Sequence, residues 1–72
     1  MVNTSLISAK EVASILSLSK RQVFRLDSMG KIPAPVRVNG AVRWRDSDIQ
    51  RWIALGCPNR AIFEATVKAE AA

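Results

Sequence analysis

The sequence contains no histidine and a single cysteine, Cys57. One thiol can neither close an internal disulfide nor build a multi-cysteine zinc site, and no imidazole is there to complete a ligand set or act as a general base. The expectation is an inert thiol in a cytoplasmic protein, since disulfides are rare in that compartment. Glycine is scarce, with three residues in 72, and no glycine-rich phosphate loop is present. No stretch approaches the roughly 20 apolar residues of a membrane span. The opening MVNTSLIS lacks the charged and long apolar regions of a signal peptide, so no membrane partner is expected. Without a triad, a metal cluster or a phosphate loop, no reaction can be assembled. Neither an enzyme, a cofactor, a bound metal nor a small-molecule substrate is expected.

Acids are also in deficit, with six Asp and Glu against eleven Lys and Arg, a net charge of +5. The imbalance is local. From Ser19 to Arg45 the cations are Lys20, Arg21, Arg25, Lys31, Arg37, Arg43 and Arg45, against the lone acid Asp27. Such asymmetry is the footprint of a polyanionic partner; a merely soluble basic face is the blander reading. What the chain has in quantity is apolar residues, 49% of the total, which favours a folded globule over disorder. A domain of this size buries only about 60% of the surface of its unfolded chain, so its core is marginal.

Ser8-Ala9-Lys10-Glu11 reads as a capping box, in which the serine oxygen takes a free backbone amide and the glutamate reaches back. Val12, Ile15 and Leu16 follow at helical spacing, predicting a helix over about 9–16. Ser17-Leu18 breaks it, and Ser19-Lys20-Arg21-Gln22 is a second capping box. The second helix places Val23 and Leu26 inward and ends at Gly30. Two capped helices across so short a turn form a helix-turn-helix or an antiparallel hairpin. Pro33 and Pro35 then impose extended chain. Val36-Arg37-Val38 and Val42-Arg43-Trp44-Arg45 alternate on either side of Asn39-Gly40, a strong hairpin signal. With Val36, Val38, Val42 and Trp44 inward, Arg37, Arg43 and Arg45 would form one cationic face. Asp46, Ser47 and Asp48 are expected to cap a third helix striped by Ile49, Trp52 and Ile53 and stopped by Gly56 and Pro58. Asn59 caps a fourth, carrying Ile62, Phe63 and Val67, with a frayed end from Lys68 to Ala72. That last stripe has two readings: it packs back on the domain, or it joins protomers.

The runs Leu6–Ala13, Leu18–Leu26 and Gly30–Pro33, with Pro35-Val36-Arg37, Val42–Arg45 and Ile49–Ile53, resemble the AlpA/excisionase-type helix-turn-helix family in order and spacing. The resemblance covers about residues 6–53 and implies a mainly α fold with a small β-hairpin, a MerR-like winged helix-turn-helix. On that basis residues 1–56 would be the DNA-binding domain and 57–72 a helical C-terminal extension. Family members are regulators of phages, prophages and mobile elements, acting as transcriptional regulators or as recombination directionality factors (excisionases). Two positions depart from the family pattern. Ser17 stands where glycine is common, and a left-handed backbone there would cost about 1 kcal/mol. Asp27 stands where an apolar residue is common, and is expected to pair with a nearby cation.

The expected partner is double-stranded DNA. At about 100° per residue Arg21, Arg25 and Ser28 form a stripe opposite Val23 and Leu26, with Lys20 and Gln22 flanking it near the N-terminus. Arg21 suits guanine and Gln22 adenine, although the capping role of Gln22 would account for it equally well. The amides following Ser19 suit a phosphate. In the hairpin, Arg37, Arg43 and Arg45 would meet phosphates or the minor groove, with Asn39 and Gly40 at the tip as contacts or as plain turn residues. Phe24 lies either against the DNA backbone or in the core, while Trp44 and Trp52 are core. Self-association on DNA and an integrase partner follow if the role is excision. The competing function is a small protein-interaction module that binds an acidic partner.

Overall fold

Two capping serines fix where the first helices begin. In the computed structural model, which describes residues 5–71, the Ser8 hydroxyl accepts from the Glu11 amide and the Glu11 carboxylate accepts from the Ser8 amide, both at 3.2 Å. This reciprocal pair starts helix α1, Ala9–Leu16. Ser19 and Gln22 repeat it at 3.1 and 2.8 Å ahead of helix α2, Lys20–Ser28. Residues 1–4 and 72 lie outside the described residues, and with them half of the MVNTSLIS opening and the last residue of the expected frayed end.

Between the two helices the chain reverses at Ser17, whose φ of 57° and ψ of 39° are left-handed. The amides of Ser17 and Leu18 return to the carbonyls of Ser14 and Ala13, a Schellman ending. After α2 the same pattern recurs at Gly30, φ 67°, with the Gly30 and Lys31 amides on the Asp27 and Leu26 carbonyls. Serine thus occupies a backbone conformation that glycine adopts without steric cost.

Strands β1 (Leu6–Ile7), β2 (Val36–Val38) and β3 (Ala41–Arg45) form an antiparallel sheet in the order β1-β3-β2. The first strand has no counterpart in the expected element pattern, because two residues are too few to display alternation. It is set by tertiary pairing: Ile7 stands opposite Trp44 and Leu6 opposite Arg45. The Ser5 carbonyl accepts from the Asp46 amide at 2.8 Å.

Helix α3, Asp46–Ala54, follows β3 with no loop. The expected side-chain caps from Asp46, Ser47 and Asp48 are therefore not made. The N-cap position falls on Arg45, which forms no side-chain cap, and the Asp46 amide is already taken by Ser5. Asp46 and Asp48 contribute only negative charge in the first turn, where the helix dipole favours it.

The core gathers one face of each element. Val12, Val23, Ile32, Trp44 and Ile49 are fully buried, and Ile7, Ala13, Trp52 and Phe63 nearly so. Burying a ring the size of Trp44 contributes roughly 4–6 kcal/mol, taking 150–250 Å² at about 25 cal/mol per Å². Both indole N–H groups find partners: Trp44 donates to the Pro33 carbonyl at 2.9 Å and Trp52 to the Pro58 carbonyl at 2.7 Å. Ile15 and Ile53, expected within apolar stripes, are 43% and 37% exposed. They sit at stripe edges that so small a domain leaves uncovered.

Helix α4, Arg60–Ala71, is capped by Asn59, whose side-chain Oδ1 accepts from the Ile62 amide at 2.9 Å. Phe63 belongs to the core cluster and Val67 packs against it, whereas Ile62 is 55% exposed, so the apolar stripe is only partly spent within the chain. The helix continues from Lys68 through Ala71 where fraying was expected, and an ion pair between Arg51 and Glu70 ties its last turn to α3.

Candidate nucleic-acid interface

Helix α2 is held by one face and open on the other. Val23 is buried and Leu26 half-buried, while Lys20, Arg21, Gln22, Arg25 and Ser28 are exposed. Among the described residues the ion pairs are Arg45–Asp48, Arg51–Glu70 and Arg60–Asp27. Lys20, Arg21 and Arg25 take no part in them. An exposed helix face thus carries three cations with no internal acid to neutralise them.

The polar residues around these cations have structural duties. The Ser19 hydroxyl is engaged by the Gln22 amide, and Gln22 Oε1 by the Ser19 amide. Gln22 therefore keeps its Nε2 donor for an outside acceptor while its oxygen holds the helix start. The Ser28 hydroxyl donates to the Arg25 carbonyl at 2.9 Å. Phe24 lies at the edge of the core and not inside it. Its ring lies 6.2 Å from that of Trp44 at an interplanar angle of 56°, yet 40% of the residue stays exposed.

The hairpin corrects one expectation. Asn39 and Gly40, with φ of 50° and 84°, form a two-residue loop of the type that fits the strand twist. Val38 therefore pairs with Ala41, Arg37 with Val42 and Val36 with Arg43. Directly opposed residues share a face of the sheet. Val36 and Val38 thus lie on the face of Arg43 and Arg45, and Arg37 on the face of Val42 and Trp44. A single face holding Arg37, Arg43 and Arg45 would need a loop of odd length. Instead the cations divide: Arg37 projects from the face that Trp44 turns toward Phe24 of α2, and Arg43 and Arg45 from the other.

These arginines also differ in freedom. Arg37 is exposed and in no ion pair among the described residues. Arg43 is half-buried, with Nη1 donating to the Val42 carbonyl at 2.8 Å. Arg45 lies 3.8 Å from Asp48, a solvent-exposed contact of little energetic weight. Val38, expected inward, is 46% exposed. Asn39 and Gly40 are exposed at the tip.

Asp27 has the cationic partner expected of it: its Oδ1 lies 2.7 Å from Nη2 of Arg60. Arg60 went unremarked in the sequence, though a signal existed. A cation in the first turn of a helix opposes the helix dipole and calls for a compensating acid.

A family model described as prophage CP4-57 regulatory protein (AlpA) matches residues 5–57. This chain belongs to the AlpA family. Comparisons with curated proteins and with solved structures give no match. The AlpA match takes in β1, both helices of the helix-turn-helix, the hairpin and α3, and it ends before α4. No helix among the described residues is long and apolar enough to cross a membrane. Among the same residues no three His, Cys, Asp or Glu side chains cluster as metal ligands would.

Proposed function

We propose that this AlpA-family chain is a sequence-specific double-stranded DNA-binding regulator of a prophage or mobile element. Helix α2 is its recognition helix and the β2–β3 hairpin its wing. The observation that carries this reading is the exposed, unpaired trio Lys20, Arg21 and Arg25 on a helix whose opposite face is locked into the core. Arg21, near the N-terminal end that enters the major groove, presents a fork matching the O6 and N7 acceptors of guanine. Lys20 and Arg25 neutralise flanking phosphates, and the amides that follow Ser19 add a phosphate site at the helix start. Gln22 offers Nε2 to a base acceptor. Ser28 sets the far end of the contact stripe. In the wing Arg37 reaches the backbone or minor groove on the α2 side, with Asn39 and Gly40 at the leading tip and Arg43 and Arg45 on the far face.

Its regulatory output is transcription control, recombination directionality, or both. One such module buries only about 600–1,000 Å² on DNA. Several protomers on adjacent sites would give the specificity and bending that excision needs, with an integrase as the partner in that role. Phe63 and Val67 are engaged inside the chain, and exposed Ile62 and the wing are the surfaces for contacts between protomers. The test is binding of the purified chain to a duplex as salt is raised. The logarithm of affinity should fall linearly with the logarithm of salt concentration, with a slope of about −0.9 per phosphate contact. Absence of duplex binding at low salt would overturn the reading in favour of a module for acidic proteins. Footprints on promoter and on attachment-site DNA then separate the two regulatory roles.

A further inference from the structure

We infer that Arg60, at the start of α4 and beyond the span matched by the family, is a positioning residue. It fixes the recognition helix relative to the wing, and through that geometry it sets how well the surface discriminates between sequences. The inference rests on the DNA-binding reading above.

Four hydrogen bonds from this one residue converge on the last turn of α2 and the chain that leads from it to β2. Nη2 donates to Asp27 Oδ1 at 2.7 Å and to the Asp27 carbonyl at 3.3 Å. Nε donates to the Ile32 carbonyl at 3.0 Å, and the Arg60 amide to the Gly30 carbonyl at 2.9 Å. The acceptors span the last turn of the recognition helix and the whole bend that follows it. That bend contains Gly30, whose left-handed φ of 67° is otherwise a natural pivot. The next carbonyl along the chain, that of Pro33, is held by the indole of Trp44 in β3. The link between helix and wing is therefore gripped by α4 on one side and by the wing strand on the other.

The grip has the character of a clamp more than of a surface ion pair. The Arg60 and Asp27 side chains are 28% and 22% exposed, so solvent screens them only in part. A planar guanidinium addresses a carboxylate and two carbonyls from a fixed fork, which a lysine ammonium on a flexible stem cannot reproduce. Phosphate attraction tolerates a slightly displaced helix, whereas base contacts demand placement within about 0.5 Å. Loosening the clamp should thus erode discrimination before it erodes overall attraction to DNA.

The test compares affinity for a duplex selected by the wild-type chain from a randomised pool with affinity for a scrambled duplex of equal composition. Arg60→Met should lower the ratio of the two affinities by roughly tenfold, about one base pair's worth of discrimination. Affinity for the scrambled duplex should fall far less. Arg60→Lys, which keeps the charge, should give an intermediate ratio and guards against a failure of the first variant to fold. The double variant Asp27→Asn with Arg60→Met removes the unpaired acid, so its melting temperature should recover toward wild type while the ratio stays low. A ratio unchanged in Arg60→Met and Arg60→Lys, or one that recovers together with melting temperature in the double variant, would overturn the positioning role. A wild-type chain that binds duplexes without preference would instead bring down the sequence-specific reading, and one that binds none at low salt the DNA-binding reading itself.

Discussion

Val36 stands directly opposite Arg43 across the hairpin, and Arg37 opposite Val42. This register makes the wing arginines inequivalent. Arg37 shares the sheet face of Trp44, which meets Phe24 of α2, while Arg45 lies on the far face beside Asp48. Arg37→Ala should weaken duplex binding and reduce the slope of log affinity against log salt by about one per lost phosphate contact. Arg45→Ala should change both much less. Equal effects in the two variants, measured by anisotropy over a salt series, would mean that both faces of the wing meet DNA.

Arg21 and Arg25 project from the exposed side of α2. Replacing either by alanine should move stability by no more than about 0.5 kcal/mol. Arg21→Ala should relax preference at one base pair, a loss of about 1–3 kcal/mol for the preferred sequence. Arg25→Ala should weaken all sequences alike. Competition assays with single-base variants of the preferred duplex distinguish the two patterns. Unchanged affinity in both variants would remove α2 from the interface.

Ser17 holds a left-handed backbone with φ 57°. An L-residue with a Cβ pays about 1–2 kcal/mol there, part of which glycine gives back in unfolded-chain entropy. Ser17→Gly should therefore stabilise the domain by about 1 kcal/mol, raising the melting temperature by about 4–8 °C. DNA affinity should not move. A melting temperature that falls, followed by circular dichroism, would show that the serine is not strained at this turn.

Trp44 is fully buried and its indole N–H is spent on the Pro33 carbonyl. Trp44→Ala should cost about 3–5 kcal/mol, enough to unfold a domain of this size. Trp44→Phe keeps much of the ring but orphans a buried carbonyl, at about 1–3 kcal/mol. It should leave a folded protein with a lowered, still cooperative melting transition. A Trp44→Ala chain that stayed folded and lost only DNA affinity would place this ring in the interface and not in the core.

The features readable in the sequence are those in which a residue acts on its immediate neighbours. Ser8 with Glu11 and Ser19 with Gln22 announce helix starts because a capping box spans only four residues. Gly30 and Asn39-Gly40 mark reversals because their backbone needs are local. Asp27 was legible as an anomaly, since an acid amid cations on a half-buried side requires a partner. Arg60 could be singled out as a cation opposing its helix dipole but not as the partner of Asp27, because 33 positions separate them and only the packing of α4 brings them together. The same holds for β1, which exists through its pairing with β3. The start of α3 was misread because the aspartates carry a strong capping signal and the fold leaves the cap position to Arg45. Alternation alone suggested that the wing arginines share a face, whereas the two-residue loop puts them on opposite ones.

The most direct test of the account is an amide chemical-shift titration of the labelled chain with a duplex that it prefers. The expected result is that the largest shifts fall on Ser19–Ser28 and on the hairpin around Arg37–Gly40, with α3 and the second half of α4 almost unmoved. Shifts concentrated on α3 or α4, with the amides of Lys20 to Arg25 unchanged at saturation, would contradict it.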